Sequence, residues 1–166
     1  VRADVAAGAD QEIDLIAGYK KTFGSTTVDL GGIYYYYPGS SQILPGYKSD
    51  FVELYGSVAQ AFGPVTAKLG ANYAPSQGAL DYGFGKEDSL YANLGLSTSI
   101  PDTGIGFSAG VGRSFARSFL TGGLKYTDWN VGATYTTGPV TLGVTYVDTN
   151  ATGINPLSGK DIYKGG

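Results

Sequence analysis

The feature that most constrains this chain is an alternation of apolar and polar residues that recurs along its length. A period of two is the period of a half-buried strand, because successive Cβ atoms point to opposite faces. In 11–24 one face reads Ile13, Leu15, Ala17, Tyr19 and Phe23, and the other Glu12, Asp14, Gly18, Lys20 and Thr22. Across a Gly24-Ser25 turn, Val28, Leu30, Gly32, Tyr34 and Tyr36 oppose Thr27, Asp29 and Gly31. The plan repeats in 52–62 and 65–73 around Gly63-Pro64, and in 89–100 and 105–112 around 101–104. It repeats again in 128–136 and 140–146 around Gly138-Pro139, and Asp161-Ile162-Tyr163 reads as the start of a further strand.

The connections alternate as regularly as the residues. Within each pair of segments the turn is short, whereas 38–49, 75–86 and 113–126 are long and polar, and 148–160 is another loop. A soluble sandwich gives no reason for loops to alternate in length. Outer-membrane barrels do, with short periplasmic turns and long extracellular loops, and strands of roughly 10–12 residues cross a bilayer at a tilt. The expected fold is therefore all-β: an antiparallel up-and-down transmembrane β-barrel, a single domain over 1–166 with at least eight strands.

Which face is wet decides between a soluble and a membrane barrel. Four features favour lipid on the apolar side. The polar faces are small, dominated by Gly, Ser, Thr and Asn, where a soluble exterior carries Lys and Glu. Charged residues are only 15% of the chain, against about a quarter in soluble domains. The apolar faces are nearly free of charge in mid-strand, Arg113 lying near a loop end. Finally, Phe23 and Phe62 sit beside short turns, and Tyr34, Tyr36, Tyr73, Trp129 and Tyr146 lie toward long loops, as two aromatic girdles at the headgroup level would require. The plainer account is that tyrosine is a good strand former.

Composition removes several chemistries. With no histidine and no cysteine there is no Ser-His-Asp or Cys-His nucleophile, imidazole or thiolate metal site, or disulfide. A net charge of −3 lacks the basic face of a nucleic-acid binder. No run of about 18 apolar residues forms a membrane helix. Val1-Arg2-Ala3-Asp4 does not read as a signal peptide. Gly104-Ile-Gly106 imitates a dinucleotide fingerprint but sits in a hairpin with no helix after it.

Three separated motifs carry a family resemblance. They are Glu12-Ile-Asp-Leu-Ile-Ala-Gly-Tyr19 with Leu30-Gly-Gly-Ile-Tyr-Tyr-Tyr-Tyr-Pro-Gly39, then Asp50-Phe-Val-Glu-Leu-Tyr-Gly56, then Tyr126-Thr-Asp-Trp-Asn-Val-Gly132 with Thr141-Leu-Gly-Val-Thr-Tyr-Val-Asp-Thr149. In order and spacing the chain resembles the TorF family of proteobacterial outer-membrane proteins, grouped as porins. The resemblance implies a Gram-negative outer-membrane location and a barrel more firmly than any solute. Such proteins are expected to carry strands before residue 1 and a closing C-terminal strand ending in an aromatic residue. This chain ends Tyr163-Lys-Gly-Gly166. The expectation is a large portion of a barrel of about twelve strands, with a closed eight-stranded barrel as the alternative.

The candidate lumen face carries Glu12, Asp14, Asp29, Glu53, Glu87 and Asp128 against Lys20 and Lys68. Rings of like charge would favour cations or polar neutral solutes. Alternatively, the same groups pair and hold a plugged barrel together. Glu12 and Asp14 as a general acid/base pair have no nucleophile or metal beside them. Loop aromatics Tyr47, Tyr82, Phe84 and Phe119 would narrow the mouth, meet a partner or simply pack. Asn150-Ala-Thr152 is a glycosylation sequon without meaning in a bacterium, and Asp148 with Asn150 is a weak calcium pattern. The functional expectation is a passive channel, not an enzyme, with no cofactor and no metal. Its partners would be outer-membrane lipid, small polar solutes or ions, and a homo-oligomer or envelope complex. A non-conducting structural or interaction barrel is the second reading.

Overall fold

A computed structural model describes residues 11–38, 49–81 and 87–152. The strands are β1 (Ile13–Phe23), β2 (Thr26–Tyr36), β3 (Phe51–Phe62) and β4 (Val65–Gln77), then β5 (Glu87–Ser99), β6 (Ile105–Ser114), β7 (Thr127–Thr137) and β8 (Val140–Thr149). Each is antiparallel to the next, in one eight-stranded sheet whose spatial order is the chain order. Two single 3-10 turns, Gly78–Leu80 and Phe119–Thr121, are the only helical pieces among the described residues. Asp161-Ile162-Tyr163, Tyr47, Tyr82 and Phe84 lie outside the described residues.

The strands run further toward the long connections than alternation suggests. Arg113 belongs to β6 and Asp148 to β8, not to loops. The 75–86 connection begins later too, because β4 continues to Gln77 through a register shift after Ala74. Pro75 in that bulge has no N–H to offer a ladder. The Gln77 carboxamide bridges the gap instead. Its Oε1 accepts the Val52 N–H at 2.8 Å and its Nε2 donates to the Val52 carbonyl at 2.9 Å. Near strand ends both faces become polar, so a hydropathy pattern cannot mark the true end.

Among the described residues the sheet does not close. β1 pairs with β2 and β8 with β7, leaving a free edge on each. The alternative of eight strands closed on themselves is therefore not formed by the described residues.

The two faces differ in exposure, and the apolar one is the more exposed. Leu15 is 61% exposed, Leu54 52%, Leu69 61%, Leu94 45% and Val131 55%, so the apolar sides share no dry centre. The polar side is the more enclosed one. Lys68, Tyr91, Asn93, Asp128 and Asn130, drawn from β4, β5 and β7, line one hollow on it. The fully buried apolar residues also belong to this inner side, at its long-connection end. There Leu80, Ala79 and Ala74 pack with Tyr37 and Phe51, and Tyr35 rests against them. Tyr35 stacks on Phe51 at 4.4 Å between ring centroids.

The hairpin tips advance by a constant step. β1–β2 ends on the pair Phe23–Thr26, whose row continues to Gln60 in β3. β3–β4 ends two residues later, on Phe62–Val65, in the row of Thr98. β5–β6 ends two further, where the Ile100 N–H meets the Ile105 carbonyl at 2.8 Å. Ile105 pairs with Tyr135, and β7–β8 ends two beyond that, on Thr137–Val140. Two residues of rise per two strand spacings is about 6.8 Å against about 9.6 Å, so the line of tips makes the strands lean by about 35°.

Candidate functional site

Because the tips step uniformly, residues equally far from their own tip lie at one height. Counting from Phe23, Phe62, Ile100 and Thr137 on the upward strands and from Thr26, Val65, Ile105 and Val140 on the others gives a height for every side chain. Odd counts face inward and even counts outward.

The outward girdle candidates fall into two tiers. Phe23 and Phe62 are at the tips, whereas Tyr34, Tyr73 and Trp129 share the eighth position, with Tyr36 at the tenth and Tyr146 at the sixth. All seven are exposed. The tiers are about 22 Å apart, measured perpendicular to the line of tips. Charges on this face keep to its margins. Arg113 and Asp148 share the eighth position; Arg113 donates to Thr127 Oγ1 at 3.3 Å and Asp148 accepts the Tyr146 phenol at 3.0 Å. Lys21, near the first tip, lays its ammonium 4.9 Å from the Phe23 ring centroid. Lys21, Asp88 and Asp148 join Arg113 as strand charges of the apolar parity, all near strand ends.

Inside, Asp14, Glu53 and Asp128 all stand nine residues from a tip, and Tyr91 holds the same place on β5. Asn72 Nδ2 donates to Glu53 Oε1 at 2.7 Å. The Tyr91 phenol reaches across β6 to both oxygens of Asp128, at 3.0 Å each. It passes over Gly112, where a Cβ would meet the phenol oxygen at 1.8 Å. Tyr55 crosses β2 in the same way, its hydroxyl 2.5 Å from the Cβ positions of both Gly31 and Gly18. Thus these inward tyrosines lie flat on strands stripped of side chains.

The other candidates sit elsewhere. Lys20, Asp29 and Lys68 are three residues from the tips, and Lys20 is directly opposite Asp29. Glu12 and Glu87 lie at the long-connection end, beyond the Asp14 level. Tyr37 is buried there; burial first, then a hydrogen bond with Glu12, pushes its phenol above the ordinary range. Tyr126, just before β7, is likewise raised by burial and then by Asp128.

Two features escaped the sequence reading. One is the inward apolar cluster on Tyr35, Tyr37 and Phe51. Its signal was Tyr34-Tyr35-Tyr36-Tyr37, since four consecutive tyrosines must place two on each face. The other is the tyrosine-over-glycine packing, which spacing within one strand cannot reveal. Asn150 is occupied as a strand-end cap: its Oδ1 accepts the Thr127 N–H at 2.7 Å. Among the described residues no group of three or more acidic side chains is placed to hold a metal ion.

Fold and face together define the class: an all-β antiparallel meander with an exposed apolar side and a less exposed polar one. The chain belongs to a bacterial family, Gcw_chp, described as a bacterial protein of unknown function, whose family model matches residues 1–162. No curated protein and no solved structure matches it.

Proposed function

We propose that this protein is a β-barrel of the bacterial outer membrane that lets small polar solutes or ions diffuse through a polar, mildly acidic lumen. The observation that carries the reading is the uncovered apolar face, from Leu15 on β1 to Val144 on β8. Water-exposed apolar patches beyond a few hundred Å² are rare on soluble monomers. Facing acyl chains, the same surface is stabilising. Its height between aromatic tiers, about 22 Å, suits the apolar band of about 25 Å on such barrels, and the lean of about 35° suits their tilt. The TorF-like motifs belong to this proposal.

The free edges set the size. In hydrocarbon an unpaired backbone N–H or C=O costs several kcal/mol, so β1 and β8 need partners. At the observed lean each strand occupies about 5.9 Å of circumference. A ring of eight would have a backbone radius of about 7.5 Å, which side chains fill; twelve gives about 11 Å, enough for a water path. We place the complete ring at about twelve strands.

Planar-bilayer recording of the purified protein tests the function: repeatable single-channel steps are expected. A second reading, a non-conducting structural barrel, is favoured by the Leu80 cluster on the inner side. Folded protein without conductance would support it and refute the porin. Hydrolysis of ester or peptide substrates would refute both, since neither reading includes an enzyme.

A further inference from the structure

The inward side chains are sorted by height, and this inference rests on the proposed lumen. Among the described residues, three carboxylates stand nine residues from the tips, Asp14, Glu53 and Asp128, with no ammonium at that level. Where their hydrogen bonds are defined, the donors are neutral: Asn72 for Glu53 and Tyr91 for Asp128. Those bonds fix the carboxylates in place and leave their charge uncancelled.

Three residues from the tips the sign reverses. Lys20 and Lys68 are there with one carboxylate, Asp29, set against Lys20. Lys68 is paired across its two ladders with Ala59 and Gly95, neither of them charged. Between the two levels, five residues from the tips, are Gly18, Gly31, Gly70, Gly95, Gly110 and Gly132. These glycines add no charge, and uncharged side chains lie over them, Tyr55 over Gly18 and Gly31, Asn93 over Gly70 and Asn130 over Gly110. The charged levels are six residues apart, about 17 Å along the axis.

The separation decides how the levels act. At about 0.1 M salt the screening length is about 10 Å, so a passing ion meets them one after the other. At 1 M it is about 3 Å, and neither level reaches far into the lumen. We infer that the lumen is axially polarised. The Asp14–Glu53–Asp128 level concentrates small cations on the long-connection side, the Lys20–Lys68 level opposes them nearer the short turns, and ionic current therefore rectifies.

The test uses the full chain in planar bilayers with KCl. At about 0.1 M the current–voltage curve should be asymmetric, and at 1 M the asymmetry should fade. Under a salt gradient the reversal potential should show cation preference. The combined Asp14→Asn, Glu53→Gln and Asp128→Asn protein should lose that preference by about threefold or more, as a ring of like charge requires. Asp14→Asn alone, a near-isosteric change of an exposed side chain, should fold normally and shift the ratio part of the way. Lys68→Gln should flatten the rectification while keeping cation preference. Conductance that is symmetric at low salt, or a permeability ratio indifferent to these changes, overturns the inference and leaves the lumen standing. Folded protein that conducts nothing overturns both.

Discussion

Gly112→Ala probes the inner packing most sharply. An alanine methyl there would lie 1.8 Å from the Tyr91 phenol oxygen, 2.4 Å from Cζ and 3.0 Å from Asp128 Oδ2. The sheet backbone cannot retreat without breaking ladders on both sides of β6, so the ring must swing away. It then loses its hydrogen bonds to Asp128, 3.0 Å to each oxygen. A hydrogen bond to a charged group is worth about 1.5–3 kcal/mol, and for these half-buried groups we take about 2. Replacing a strand glycine returns about 0.5 kcal/mol of chain entropy. The net cost should be about 1.5 kcal/mol. In a Tyr91→Ala background the phenol clash and its bond are gone and the Asp128 carboxylate is free to shift, so Gly112→Ala should be neutral or stabilise by about 0.5 kcal/mol, a coupling of about 1.5–2 kcal/mol. Urea unfolding from lipid vesicles, followed by the single tryptophan, Trp129, reads both numbers. Equal costs in the two backgrounds would refute the tyrosine-over-glycine packing.

Further predictions concern the outer face, a turn and a buried phenol. Leu69→Arg, outward at mid-height, should destabilise insertion into vesicles by about 2–4 kcal/mol, while Phe62→Arg at a tip should cost no more than about 1; equal costs would argue against a lipid-facing band. Gly104 has φ +70, and a Cβ there would sit 2.2 Å from the Thr136 carbonyl oxygen. Gly104→Ala should therefore cost at least about 2 kcal/mol in the same unfolding assay, whereas Asp102→Gly, relieving a φ of 61, should stabilise by about 0.5. The Tyr37 phenol is held protonated by burial and by Glu12, so its folded-state pKa exceeds the unfolded one. Its contribution to stability is intact below about pH 10 and is lost as pH rises through the higher folded value. Ultraviolet titration should show a late-ionising phase to which Tyr37 and Tyr126 contribute, and Tyr37→Phe should shrink it by one tyrosine; an unchanged late amplitude would contradict this.

Much of the fold was legible because a strand's period is short and local. Leu15, Leu54, Leu69 and Val131 could be assigned to one face from their neighbours alone. Hairpin tips were legible too, since Gly24, Gly63 and Gly138 adopt the positive φ that short turns demand. Strand ends were not, as with Gln77 and Asp148, because the polar runs there hide the alternation. The candidate site was legible only as a list of inward charges. What groups Asp14, Glu53 and Asp128, and separates them from Lys20 and Lys68, is the two-residue step between hairpins. That step is a property of pairing between strands far apart in sequence. It can be counted only once the register is known.

The direct test of the central claim is the environment of the outward side chains. The chain has no cysteine, so single cysteines can be placed for spin labels at Leu30, Leu69, Leu96 and Val144, all outward and at one height, and at Ser57 and Gly95, inward and one residue higher. In vesicles, labels at the first four should be reached by oxygen and shielded from a water-soluble nickel chelate, and those at the last two should be reached by the chelate. Chelate access to Leu30, Leu69, Leu96 and Val144 equal to that at Ser57 and Gly95 would contradict the account.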